Sequence, residues 1–239
     1  MKVNWNYIKM VALFCLVVFL FAFASGRNNA RLVTEPAIKF TGEDNLFVTN
    51  ETVSKLLTQN YGGAQNVAKE TLDLNKLENV LKSNPMIKSA EVYVAVNGTL
   101  NAEIKQKTPI ARVSTNASYY IDDRGFFMPL SNNYSARVPL VTGVVEKNNL
   151  ENIFKIATKI REDEFLKMNV IEIHQNANNR LFLKLRQCKF LVQLGDLDLL
   201  DKKINNLKAF YQKNIKEKTL DNYSKVNLQF DNQVVCTKI

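Results

Sequence analysis

Hydrophobic positions divide this chain into two regimes. From Met10 to Ala24 the sequence reads MVALFCLVVFLFAFA, without a charge. After Ser25 apolar residues come in short groups, spaced by two or by three and four, as in half-buried strands and helices of a soluble body. The uncharged run is about 15 residues, against the ~17–25 of a spanning helix. Ile8 and a snorkelling Lys9 bring it to about 17, or ~25 Å, enough for a thin hydrocarbon core. Trp5 and Tyr7 suit the headgroup level. Two readings stand: an uncleaved anchor over residues 10–26, or a signal peptide cut after Ala24, since Ala22-Phe23-Ala24 fits a small-x-small site. Lys2 and Lys9 before the run face Arg27 and Arg31 after it, so charge leaves the orientation open.

A polar linker occupies residues 27–36, and Ala37 to Phe40 reads as a strand closed by Thr41-Gly42. Asn50 is placed to cap a helix with Val53, Leu56 and Leu57 on one face; Tyr61 to Asn66, with Gly62-Gly63, is a loop. Asn75 is placed to cap a second helix carrying Leu77, Val80 and Leu81, ended by Pro85. Val92, Val94 and Val96 then alternate up to Asn97-Gly98, the dipeptide of a type I′ hairpin turn, and Leu100, Ala102 and Ile104 alternate in the return strand. The module is strand, helix, helix, hairpin. Each helix has one apolar stripe, so both must pack on one side of a three-stranded sheet.

Beyond Pro109, strands are expected at Ile110–Val113 and Tyr119–Ile121, a turn at Asp122-Asp123-Arg124-Gly125, and a hairpin continuation over Phe126–Leu130. Leu150, Ile153, Ala157 and Ile160 mark a helix. Strands follow at Val170–His174, Leu181–Leu185 and Phe190–Leu194. Asp198 is placed to cap a long helix through about Asn214, with Leu200, Ile204, Leu207 and Tyr211 as its stripe. Lys225–Phe230 and Gln233–Thr237 are the closing strands.

The net charge is +9, but the basic residues are dispersed, and those from Lys202 to Lys218 read as a solvated helix face rather than a nucleic-acid stripe. His174, the one histidine, alternates with Glu172 on a strand, without metal-ligand spacing around it. The chain contains no HExxH, CxxC, GxSxG or P-loop. Asp122 and Asp123 are the one carboxylate pair outside helices that tempts a glycosidase reading, and a turn explains them better. Neither a cofactor nor a small-molecule substrate is indicated. Cys188 and Cys236 lie on strand-like segments of the soluble part, paired or both free. The terminal strand is a template for another polypeptide if it lies at a sheet edge, and plain core if it does not.

Asn84-Pro85-Met86-Ile87-Lys88-Ser89-Ala90-Glu91-Val92, then Gly98-Thr99-Leu100 and Thr108-Pro109-Ile110-Ala111, resembles the FtsQ/DivIB cell-division family. Tyr119-Tyr120-Ile121-Asp122-Asp123-Arg124-Gly125 and Val226-Asn227-Leu228-Gln229-Phe230 are similar to later family segments. The resemblance implies an α+β chain: a cytoplasmic tail (1–9), a transmembrane anchor (10–26), a linker (27–36), a POTRA domain (37–108) and a mixed-sheet β domain with flanking helices (109–239). It implies a non-enzymatic scaffold at the inner membrane and septum, bulk periplasmic. FtsB/DivIC-like and FtsL-like bitopic proteins are the implied partners, adding a strand at the C-terminal strand. Carried over, that site is Phe230, Asn232, Gln233, Val234, Val235, Cys236 and Thr237; Gln229 stands where the family has a basic residue. A second docking surface is implied on the hairpin at Val92, Val94, Val96, Leu100 and Ile104. The alternatives are a POTRA-bearing chaperone of envelope transport and a peptidoglycan hydrolase.

Overall fold

The computed structural model describes residues 5–29, 34–42, 45–60, 72–115, 117–231 and 233–239. The chain divides into two compact units between Gln106 and Lys107.

The first unit opens with α1 (Trp5–Asn29), followed by β1 (Thr34–Thr41), α2 (Asn50–Asn60), α3 (Leu74–Ser83), β2 (Ile87–Val94) and β3 (Thr99–Gln106). Helix α1 runs through Ala22-Phe23-Ala24 without a break, and β1 begins inside the stretch expected to be linker. The strands form a sheet in the order β1-β3-β2, with β1 parallel and β2 antiparallel to β3. Val53 and Leu57 of α2 and Leu77 and Leu81 of α3 are buried, as are Val92, Leu100, Ala102 and Ile104 of the sheet. This is the strand–helix–helix–hairpin that the hydrophobic spacing predicts.

The caps differ from expectation. Thr49 caps α2 by accepting from Thr52 N at 3.2 Å, not Asn50, and Asp73 caps α3 by accepting from Lys76 N at 2.9 Å, not Asn75. Each true cap lies just outside the helix, where its oxygen can face the open N–H groups. The hairpin turn also differs. Gly98 takes a positive φ of 91° and Asn97 does not. Gly98 N donates to Ala95 O and Ala95 N to Thr99 O, both at 2.9 Å, a type I turn closed by a left-handed glycine.

The second unit contains β4 (Pro109–Ser114), β5 (Ser118–Asp122), β6 (Phe127–Met128), β7 (Leu140–Gly143), α4 (Glu151–Glu162), α5 (Glu164–Asn169), β8 (Val170–Gln175), β9 (Leu181–Leu185), β10 (Leu191–Gly195), α6 (Leu200–Glu217), β11 (Tyr223–Asn227) and β12 (Val235–Lys238). Its nine strands order as β12-β11-β10-β9-β8-β7-β4-β5-β6. The sheet is mixed: β4–β7, β7–β8 and β10–β11 are parallel and the other pairs antiparallel. Ile153, Ile156 and Ile160 of α4 and Ile204 and Leu207 of α6 share one core with Val113, Val141, Ile173, Leu183, Val192 and Val226.

Two elements here have no counterpart in the sequence reading. Strand β7 is four residues long, too short for a visible alternation, and its parallel partners β4 and β8 define it. Helix α5 is capped by Asp163, whose carboxylate accepts from Leu166 N at 3.1 Å and pairs with Lys208 of α6. Nor is α6 capped by Asp198. Leu199 occupies the cap with φ 51° and no side-chain bond. Its basic tract is not all solvated either: Lys203 is buried, with Nζ donating to Asp196 O at 2.9 Å and Oδ1 at 2.6 Å.

Candidate functional site

Strand β12 is the last strand of the nine-stranded sheet, and only β11 pairs with it among the described residues. The register is antiparallel: Lys225 faces Thr237, Val226 faces Cys236 and Asn227 faces Val235. Side chains alternate as the pleat requires. Val234 and Cys236 pack against the core, while Val235 and Thr237 are exposed. Burial pushes the Cys236 thiol pKa up. Cys188 is also free, its thiol pushed up to about 11 by burial and then by Asp221. The two cysteines do not pair.

The backbone direction of β12 follows from its neighbours. Leu228 N donates to Gln193 O of β10 at 3.0 Å, so Leu228 and Val226 aim their main-chain groups at β10, and Lys225 and Asn227 aim theirs at β12. On β12 the partners of those two, Thr237 and Val235, therefore face inward. Ile239 N, donating to Asn222 O at 3.0 Å, continues the same alternation. The main-chain groups of Cys236 and its alternating neighbour Val234 face away from the sheet, whereas at the end of the strand Lys238 O accepts from Ser224 Oγ of β11 at 3.3 Å.

The other sheet edges carry blunting features that β12 lacks. Strand β1 contains Pro36, which has no N–H. On β2 the outward Val92 N–H is taken by the Glu78 carboxylate at 3.0 Å, and Glu78 also holds Lys82 at 2.8 Å. The Lys82 bond, followed by the Val92 bond, holds Glu78 below the usual carboxylate range. Strand β6 is two residues long and is followed by Pro129. Strand β12 has no proline, and its one lysine stands at its end.

Of the other residues expected at this site, Phe230 is 46% exposed and Gln233 is exposed, while Asn232 lies outside the described residues. Gln233, Val234 and Cys236 line a groove of about 420 Å³ with Phe210, Lys213 and Tyr223. Gln229 turns inward: its Oε1 accepts from Gln193 Nε2 at 2.6 Å, and its side chain occupies the space beside Gly195. Nothing in the residue types marked that contact in advance.

The hairpin surface needs correction. Val92, Leu100 and Ile104 are buried at 5%, 0% and 0% exposure and Val94 is half-buried, because their alternation is the core-facing side of the sheet. Only Val96, at the turn, is exposed. Asp122 is also a structural group. Its carboxylate is fully buried; Oδ1 accepts from Arg124 N at 3.0 Å and Phe126 N at 2.8 Å, and Oδ2 lies 3.4 Å from Lys107 Nζ. His174 is half-buried, with Nδ1 2.9 Å from Thr142 Oγ1, and Thr142 donates to Glu172 at 2.8 Å. No group of three His, Cys, Asp or Glu suited to a metal occurs among the described residues.

Two family models match the chain over these two units. A model described as FtsQ/DivIB, C-terminal related, covers residues 108–237, and a POTRA-like domain model covers residues 37–105. The chain belongs to the FtsQ/DivIB family. It is 22% identical over 180 residues to the cell division protein FtsQ of Geotalea daltonii, a match covering 70% of this chain and 64% of that protein. It is 26% identical over 157 residues to the cell division protein DivIB of Clostridium tetani, covering 58% and 56%. Both matches span less than two thirds of the relatives' own lengths. Helix α1 is long and apolar enough over Trp5–Arg27 to cross a membrane.

Proposed function

We propose that this FtsQ/DivIB protein is a non-enzymatic scaffold of the bacterial division machinery, linking early and late septation proteins. In this reading α1 anchors it in the inner membrane with the tail cytoplasmic and residues 37–239 periplasmic at the septum. An FtsB/DivIC-like protein, with its FtsL-like companion, adds a strand to the outer edge of β12. The observation that supports it is the one-sided pairing of β12, with the Cys236 main-chain groups facing outward and no blunting device beside them.

The test is a proline at Cys236 in the full chain. It removes an outward donor and keeps the bonds to β11, as edge strands permit. Each main-chain bond contributes about 0.5–1.5 kcal/mol net, so capture of the FtsB/DivIC-like partner should weaken about 2- to 12-fold on co-purification. Cys236→Val, which alters the side chain and keeps the donor, should bind as the parent does. A proline at Val235 would remove an inward donor instead and disturb the sheet. Equal capture by Cys236→Pro and the parent would refute strand addition at this edge.

A further inference from the structure

The opposite end of the nine-stranded sheet presents side chains rather than backbone. In the turn before β6, Phe126 is 62% exposed, and Phe127 beside it is 38% exposed. The Arg124 guanidinium lies 5.8 Å from the centre of the Phe126 ring, and Lys147 Nζ lies 3.8 Å from the centre of the Phe127 ring. Neither cation has a carboxylate within ion-pair distance among the described residues. Between them runs a shallow groove of about 440 Å³, with Leu150 and Phe154 in its lining. Glu151 at its rim is already paired with Lys155 at 2.7 Å.

The turn is held in place before any ligand arrives. The buried Asp122 carboxylate binds the N–H groups on both sides of Gly125. Gly125 takes φ 83° and packs on Phe154, so close that an added Cβ would lie 3.1 Å from the ring. A fixed turn lowers the ordering cost of binding.

We infer that this surface docks an acidic segment of a partner protein, with an apolar side chain in the groove and carboxylates on Arg124 and Lys147. Cations resting on aromatic rings keep their charge available, and arginine with exposed aromatics is the composition of interface anchors. The patch has two such cations and a concave groove, which suit a peptide better than a bilayer. The sheet order puts eight strand spacings, roughly 38 Å at ~4.8 Å each, between this patch and β12. Two polypeptides can therefore occupy the two ends at once, and the inference stands whether or not β12 accepts a strand.

The test places the photo-crosslinking residue p-benzoylphenylalanine at Phe126 of the full chain in cells, with mass spectrometry of the adduct. The expected product is an adduct to a protein segment of net negative charge. Arg124→Glu combined with Lys147→Glu should reduce it about tenfold. Thermal unfolding of the purified variant checks its fold; if the double reversal unfolds the protein, Arg124→Gln with Lys147→Gln replaces it, with about a threefold reduction expected. Cys236→Pro should leave this adduct intact, which separates the result from the fate of β12. No adduct, an adduct to phospholipid or to a basic segment, or one indifferent to the charge changes would overturn the inference.

Discussion

Gln106 closes the first unit, and replacing it by leucine should loosen that unit alone. Its side chain is 3% exposed. Oε1 accepts from Phe47 N at 2.9 Å and Val48 N at 3.0 Å, and Nε2 donates to Val48 O at 2.8 Å. One amide at the end of β3 thus binds three main-chain groups of the segment between β1 and α2, where Phe47 and Val48 are themselves buried. Leucine is nearly isosteric and gains apolar burial, but it leaves those three groups without that partner. Unsatisfied buried groups cost ~1–3 kcal/mol each; relaxation and the apolar gain bring the expected net loss to about 2–4 kcal/mol. The assay is hydrogen exchange by mass spectrometry on the full chain in detergent. Amides of β1, β2 and β3 should lose protection by roughly 30- to 700-fold, while those of β8, β9 and β10 keep theirs. Loss below about threefold in the first unit, or equal loss in both, would refute the role assigned to Gln106.

Two other perturbations probe the second unit. Hydrogen bonding from Lys203 holds Asp196 below the usual carboxylate range, against a burial effect of opposite sign and with Arg180 adding to it. A depressed folded-state pKa contributes stability above the unfolded aspartate value of about 3.9, and this is lost as pH falls through the folded value. Asp196→Asn should therefore be less stable than the parent at neutral pH, with the difference shrinking in acid; an equal deficit at both would contradict the pairing. Gly143 takes φ 92°, and a Cβ there would lie 2.0 Å from Gln175 O. Gly143→Ala should cost about 3 kcal/mol or more and lower the melting temperature by about 10 °C in thermal unfolding, and an unchanged melting curve would contradict that close approach.

Short-range patterns were legible in this chain because their causes are short-range. The uncharged run of α1, the stripe of α6 and the Asp122 turn depend on residues a few positions apart and form where the spacing places them, while the valine alternation of β2 stops at Val94 and leaves Val96 in the turn. The caps were misplaced by one or two residues, because Thr49 and Asn50, or Asp73 and Asn75, are equally able to cap until the helix start is known. The candidate site was legible as a segment and not as a surface. Phe230 to Thr237 takes in all of the terminal strand but Lys238, and which of its main-chain groups face outward rests on Leu228 and Ile239 finding their partners.

What the sequence alone determined is the long apolar helix, the βααββ module and the two-faced strands, since hydrophobic period and turn chemistry specify each locally. The tertiary structure decided which face of the hairpin is core, which strands are edges and where the cations lie. Those outcomes depend on pairings between distant segments: β7 exists as a strand only between β4 and β8, and β12 is open only because no other described strand lies beyond it. A polypeptide's alternation says that a strand has two sides and two flanks. Only the finished sheet says which flank is left for another chain.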